Sequence, residues 1–323
     1  MKNKIAFGPV PSRRLRRSLG INNIPPKICT YSCIYCQVGK TYNFSIERKM
    51  FYTIEEIKNQ VSEKINELIK QKEKIDFLSF VPDGEPTLDI NLGKEIETLK
   101  DHKIPIAVIT NASLINREDV RKDLSKADWV SLKIDAIDEL TWKKVNRPHP
   151  KLSLKDILKG INEFSNQYKG NLNTETMLIE KINTAKKNIE RIADFISTLE
   201  INTAYISIPT RPPASKSAGV PSEEIINMAY NLFKKRNINA ELLSGYSSIE
   251  FPATKNVQEE ILNIVAVHPM REKDVKNILD KANKNWNIIE NLLEKGEIKM
   301  VNFGKNKFFL RSFKRNIVNG KNK

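Results

Sequence analysis

Cys29-Thr30-Tyr31-Ser32-Cys33-Ile34-Tyr35-Cys36 holds every cysteine of the 323-residue chain. The spacing is C-x3-C-x2-C. Three thiolates this close can wrap one metal cluster, but they cannot complete the four-ligand shell of structural zinc. The three histidines, His102, His149 and His268, lie more than sixty residues further on. A [4Fe–4S] cluster normally takes four cysteines, so three leave one iron open to a non-protein ligand. A three-cysteine zinc site and a redox-sensing thiol cluster are the alternatives that spacing alone leaves standing. Cysteines confined to eight residues do not form a disulfide framework, which makes the cytoplasm the expected compartment.

Around this loop, β-branched apolar runs alternate with helical patterns of period near 3.6. Ser18–Ile24 reads as a strand ending at Pro25-Pro26. Thr53 to about Lys72 reads as a helix, with Thr53 and Glu56 forming a capping box. Strands follow at Ile75–Val81, Pro105–Thr110, Trp129–Ile134, Asn173–Ile179 and Tyr205–Ile208. Helices fall near Leu92–Lys100, Arg117–Ser125, Lys186–Leu199 and Glu223–Lys235. Repeated strand–helix units imply a parallel sheet with right-handed crossovers. About six units suggest an α/β fold of partial (β/α)6 barrel type, with chemistry at the C-terminal strand ends. An open doubly wound sheet is the alternative. Past residue 250 the pattern changes to helices near Val257–Val265, Glu272–Ala282 and Asn287–Leu293. A β-hairpin follows: Ile298–Phe303, a turn at Gly304-Lys305-Asn306-Lys307, and Phe308–Phe313. Three helices and a basic hairpin are the layout of a winged helix. The expected domains are therefore 1–250, a small α+β unit at 251–315, and a basic disordered tail at 316–323.

The chain carries 54 Lys and Arg against 39 Asp and Glu, a net charge of +15. Eight basic residues precede the first acid, Glu47, and eight follow the last, Glu297. The 38 bases between them nearly balance the 39 acids, so two basic ends carry the excess. Such clustering marks either a polyanion surface or ragged basic termini. A 40% hydrophobic content excludes global disorder. No apolar run is long enough for a membrane span, and the first 30 residues lack a signal-peptide core. Walker loops and dinucleotide fingerprints are absent.

The cysteine loop, with Tyr35 just before the third cysteine, resembles the defining motif of the radical S-adenosylmethionine (SAM) enzymes. The resemblance covers about residues 1–245. It implies that Cys29, Cys33 and Cys36 hold a [4Fe–4S] cluster whose open iron is chelated by SAM. One electron then cleaves SAM to methionine and a 5′-deoxyadenosyl radical, which takes hydrogen from a substrate. Pro82-Asp83-Gly84-Glu85-Pro86 resembles the family's Gly-Gly-Glu-Pro segment, implying a SAM-amino contact at Gly84 and Glu85, although Asp83 replaces the first glycine. Thr110-Asn111 resembles a SAM-lining Thr-Asn-Gly segment, with Ala112 where glycine is common. Alternation puts Ser131, Lys133 and Asp135 on one strand face, and a lysine buried there needs an anionic partner. By the same resemblance Lys133 meets SAM's carboxylate, and Ser131 stands where relatives carry an acid for the ribose.

Gly8-Pro9-Val10-Pro11-Ser12-Arg13-Arg14-Leu15, Ser18-Leu19-Gly20, Cys36-Gln37, Asn146-Arg147-Pro148, Glu175-Thr176-Met177 and Pro209-Thr210-Arg211-Pro212-Pro213 narrow the likeness. They resemble a group of short radical SAM proteins, labelled Fe–S oxidoreductases related to wyosine-base formation, with Arg16 where glycine is expected. Arg13, Arg14 and Arg211 are candidates for binding a substrate phosphate or carboxylate; pairing to structural carboxylates is the alternative. A second all-cysteine cluster is impossible, which argues against sulfur insertion from a sacrificial cluster. The expected partners are a reductant such as a ferredoxin or flavodoxin, and RNA as substrate, with no membrane. Radical modification of a partner protein and a non-catalytic Fe–S sensor that binds DNA through residues 255–315 are the competing readings. His102, His149 and His268 read as structural.

Overall fold

The computed structural model describes residues 5–243, 257–267 and 269–312. His268, the boundary near residue 250 and the tail at 316–323 lie outside the described residues. The chain opens with a hairpin of β1 (Ala6–Ser12) and β2 (Arg16–Ile21). The cysteine loop follows, clamped by two short parallel strands, β3 (Ile28–Cys29) and β4 (Asn43–Phe44). Helix α1 (Ile54–Lys70) then starts the alternation. Its capping box is formed: the Thr53 hydroxyl accepts from the Glu56 N–H at 3.1 Å, and the Thr53 N–H donates to the Glu56 carboxylate at 2.8 Å. Ile57, Val61, Ile65 and Leu68 are its buried stripe.

The remaining units are β5 (Phe77–Phe80), α2 (Leu92–Leu99), β6 (Ile106–Thr110), α3 (Glu118–Leu124), β7 (Trp129–Lys133), α4 (Glu139–Asn146), α5 (Leu154–Gln167), β8 (Asn171–Met177), α6 (Lys186–Ile196), β9 (Thr203–Ser207), α7 (Glu223–Lys234) and β10 (Ala240–Leu243). The sheet order is β1-β2-β5-β6-β7-β8-β9-β10, and every pairing from β2 onward is parallel. Strand order follows chain order, without the reversal that defines a doubly wound sheet. The sheet is a curled half-barrel. In β7, Val130 and Leu132 pack outward in the main core, whereas Trp129 belongs to a small inner cluster with Ala107, Tyr205 and Leu15. Leu15, from the β1–β2 turn, thus plugs the half-barrel near the ends where its strands begin.

Helix α8 (Val257–Val267), strand β11 (Met270–Arg271), helices α9 (Glu272–Lys281) and α10 (Asn287–Glu294), and strands β12 (Ile298–Phe303) and β13 (Asn306–Arg311) bury a second core. Their strands form a separate sheet of order β11-β13-β12. The hairpin turn is tighter than expected: Phe303 pairs with Asn306, leaving only Gly304-Lys305, and Gly304 takes a left-handed φ of 56°. Buried Glu260 of α8 fastens this unit to the barrel. It accepts from the Gly8 N–H at 2.9 Å and from Lys64 Nζ at 2.8 Å.

Candidate functional site

A cavity of about 400 Å³ opens at the C-terminal ends of the parallel strands, within the size range of ligand pockets. All three cysteines line it, as do Asp83, Gly84, Lys133, Glu175 and the arginines Arg13, Arg14 and Arg211. Residues far apart in the chain therefore meet in one chamber. Glu85, Thr110, Asn111 and Ser131 stand behind its wall.

The cysteine loop is held from both sides. The Lys27 N–H donates to Asp83 O at 2.7 Å, and the Glu85 N–H to Ile28 O at 3.2 Å, docking the chain before Cys29 onto the end of β5. Gly84 makes that approach possible, because a Cβ there would collide with the backbone oxygen of Ile28. On the far side, the Ser32 and Ile34 N–H groups donate to Asn146 O and Val145 O at the end of α4. Each of two sulfurs has an amide donor: Asn111 Nδ2 lies 3.5 Å from Cys29 Sγ, and Asn146 Nδ2 lies 3.5 Å from Cys33 Sγ. Asn146 was absent from the sequence-derived site residues; its only signal was membership of the Asn146-Arg147-Pro148 stretch.

Glu85 is buried and turns away from the cavity. Its carboxylate accepts from Thr110 Oγ1 at 2.6 Å, from the Asn111 N–H at 2.8 Å and from Thr87. It therefore splices the ends of β5 and β6 together and aims Asn111 at Cys29. Ser131 also lies on the inner face, where its hydroxyl is buried without a hydrogen bond among the described residues. Asp135 falls past the end of β7. It accepts from Tyr35 Oη at 2.5 Å, Asn146 Nδ2 at 2.7 Å and the Met177 N–H at 2.8 Å, pinning the aromatic residue of the motif.

Lys133 has found an anion inside the protein: its Nζ donates to Glu175 at 2.7 Å. Arg14 reaches across the chamber from the β1–β2 turn to pair with the same carboxylate, with its guanidinium 5.9 Å from the centroid of the Tyr205 ring. Ser207 Oγ donates as well, at 3.0 Å. Arg14 and Lys133 hold the Glu175 carboxyl down at about 2 despite its burial. Two cations against one carboxylate leave a positive charge in the chamber. Arg211 Nε donates to Pro269 O at 3.2 Å, tying the rim to the C-terminal unit, and Arg13 is exposed. Lys27 and Asp83 form a buried ion pair at 3.4 Å beside the cysteines. Burial pushes Asp83 up to about 6 against the pull of Lys27.

Burial also raises all three thiols, Cys33 to about 12. A reactive redox-sensing cysteine needs the opposite, a lowered pKa and exposure.

A sequence model of the radical SAM superfamily matches residues 23–196. The chain belongs to the radical SAM superfamily. It is 47% identical to a UPF0026 protein of Methanocaldococcus jannaschii over 96% of this chain and 97% of that one. A UPF0026 protein of Helicobacter pylori is 30% identical over 94% and 97%. Among solved structures, a radical SAM methyltransferase from Sphaerobacter thermophilus aligns with TM-score 0.53 over 70% of this chain and 66% of that one, at 17% identity. That last likeness shows the fold alone.

Radical SAM enzymes use a [4Fe–4S] cluster and SAM, and the residues here fit both. Three convergent thiols with amide donors at two sulfurs are a donor set for a cluster, whose positive charge offsets the burial cost that keeps the free thiols protonated. The glycine at 84 keeps the wall beside Cys29 thin, and the Lys133 side of the chamber carries the surplus positive charge.

Proposed function

We propose that this radical SAM enzyme acts on RNA. Supporting the reading are the two basic ends of the sequence, the winged-helix order of the C-terminal unit, and the bond from Arg211 at the cavity rim to Pro269 of that unit. The observation that carries it is the last: a module suited to polyanions sits against the mouth of the chamber that holds the cysteines. A dual-specificity RNA methyltransferase of Endomicrobium trichonymphae is also 24% identical over 66% of this chain. In this reading residues 251–315 form an appended unit that presents the substrate, and the enzyme works in the cytoplasm. Among the described residues no helix is long and apolar enough to cross a membrane.

When bound, the cluster and SAM supply a 5′-deoxyadenosyl radical for hydrogen abstraction. Cys29, Cys33 and Cys36 would ligate three irons, with Asn111 and Asn146 donating to two of their sulfurs. Gly84 would hold the methionyl amino group, with Glu85, Thr110 and Asn111 fixing the wall behind it. Lys133 would attract the SAM carboxylate while Glu175 and Arg14 set the position of its ammonium, and Ser131 lies on the same strand face. Arg13 and Arg211, at the rim, take a substrate phosphate bidentately.

The reconstituted enzyme, incubated anaerobically with deuterium-labelled cell RNA or with deuterium-labelled cell protein, tests the proposal. Deuterium should enter 5′-deoxyadenosine from the RNA pool. Entry from the protein pool alone would replace RNA with a partner protein as substrate. The sensor reading has lost its footing, since members of this superfamily are enzymes.

A further inference from the structure

Tyr42 and Phe44 are large apolar side chains left exposed, at 59% and 38%, and both lie on the strip that backs the cysteine loop. The strip is rigidly attached. The Tyr42 and Asn43 N–H groups donate to Lys27 O, and the Ser45 N–H donates to Cys29 O at 3.2 Å. In the β3–β4 register Phe44 stands opposite Cys29, one strand spacing of about 4.8 Å away. His149 extends the patch, its ring 5.2 Å from that of Phe44. It is anchored by its own N–H donating to Thr30 O. Neither Tyr42, Phe44 nor His149 lines the cavity, whereas Thr41 next door does. The strip is thus the outer wall of the loop whose inner wall faces the chamber.

The flanking charges are one-sided. Lys40, two residues before Tyr42, and Arg147 and Lys151, two residues either side of His149, are exposed, with Glu47 the one exposed acid among residues 40–50. Exposed apolar side chains rimmed by charge mark interaction sites, and this rim favours an acidic partner. Substrate must enter the chamber, so its partner cannot be served from the outer wall. An electron has no such requirement; it need only come close to the cluster.

Resting on the radical SAM reading above, we propose that Tyr42, Phe44 and His149, rimmed by Lys40, Arg147 and Lys151, dock an acidic one-electron carrier protein. The carrier's reduced centre is oxidised by one electron and the cluster is reduced by one, with no bond made or broken in the complex. The carrier leaves the chamber open to SAM and substrate. A small patch suits this work, because electron-transfer encounters have the smallest specific interfaces.

The test uses the cluster-loaded protein and two reductants, a strongly acidic reduced flavodoxin and dithionite, with cluster reduction followed by its visible absorbance in stopped flow. Tyr42→Ser combined with Phe44→Ser, and separately Lys40→Glu combined with Lys151→Glu, should slow flavodoxin-driven reduction at least tenfold, the lower end of electrostatic steering. The dithionite rate should stay at the wild-type value. Added salt should slow the wild type with flavodoxin far more than it slows the charge-reversed variant. Equal slowing with both reductants would mean a disturbed cluster loop and overturn the docking surface, as would unchanged flavodoxin rates. Suppression of flavodoxin-driven reduction in the wild type by a short RNA, with RNA binding lost in the same variants, would make the strip a nucleic-acid surface instead. A wild type in which dithionite reduces no cluster would overturn the radical SAM reading itself, a different failure.

Discussion

Gly84→Ala is the sharpest single perturbation of the cluster loop. A Cβ at this position falls about 1 Å inside the 3.0 Å limit below which Cβ contacts do not occur, and the atom it meets is the backbone oxygen of Ile28. Backbone cannot rotate aside as a side-chain tip can. Relief requires about 1 Å of displacement between the end of β5 and β3, and it breaks the bond from the Glu85 N–H to Ile28 O. Cys29 is the next residue. Metal ligands tolerate about 0.2 Å of departure from their distances, so the shift is about fivefold too large for Cys29 to keep its iron. The cost to the fold is that of overpacking, about 1–3 kcal/mol, which lowers Tm by a few degrees. Iron content, visible absorbance and far-UV circular dichroism after anaerobic reconstitution measure the outcome: a folded protein with iron and absorbance mostly lost. A Gly84→Ala protein that keeps full iron and an unchanged Tm would refute the claim that this close approach sets the position of Cys29.

Glu175→Gln leaves Arg14 and Lys133 without their shared anion and should cost about 3–5 kcal/mol at pH 7 in denaturant unfolding. Because the folded carboxyl titrates near 2, its stabilisation is full above the ordinary carboxylate range and fades as pH falls toward 2, where wild type and variant should converge. Glu95→Gln should do the reverse. Burial pushes the Glu95 carboxyl up to about 9, with Asp89 adding to the rise. The wild type therefore loses stability as pH climbs from the unfolded carboxylate range toward 9, and the variant's Tm advantage should widen over that window. Asn111→Ala and Asn146→Ala each remove an N–H donor to a cysteine sulfur; spectroelectrochemistry should find the cluster potential more negative in both. Ala112→Gly should stabilise the protein by about 1 kcal/mol in denaturant unfolding, since Ala112 sits at φ 61°.

That last residue bears on what the sequence made legible. Asp83, Ala112 and Arg16 are the positions where glycine was expected and missing, and the last two share a backbone feature. Both take left-handed φ values, 61° and 52°, so the backbone keeps the shape that glycine would have allowed and the side chains bear the strain. The parallel strands of the main sheet from β2 to β9 were readable because each buries a regular stripe, whereas four-residue β10 was missed. The α4 and α5 segments went unread. Within α5, Gly160 interrupts the helical signal in order to pack against the backbone of Ile115 and Asn116. Strand β1 was hidden by its two prolines, which an edge strand tolerates. In the site, the cysteines were legible from local spacing alone. Glu175 was not, for its meaning lies in Arg14, 161 residues upstream, and no pattern along the chain connects them. The turn of Glu85 away from the cavity was equally invisible, because a motif names residue types without saying which way a carboxylate points.

The grip of Glu260 on Gly8 spans 252 residues, so its two partners are made far apart in time. On the ribosome, the hairpin edge emerges well before the helix that packs against it. Until α8 is made, β1 is an edge strand whose one flank is open to any neighbouring nascent chain, blunted only by its two prolines. The arrival of α8 ends that hazard, so a segment made late acts as a cover for the strand at residues 6–12.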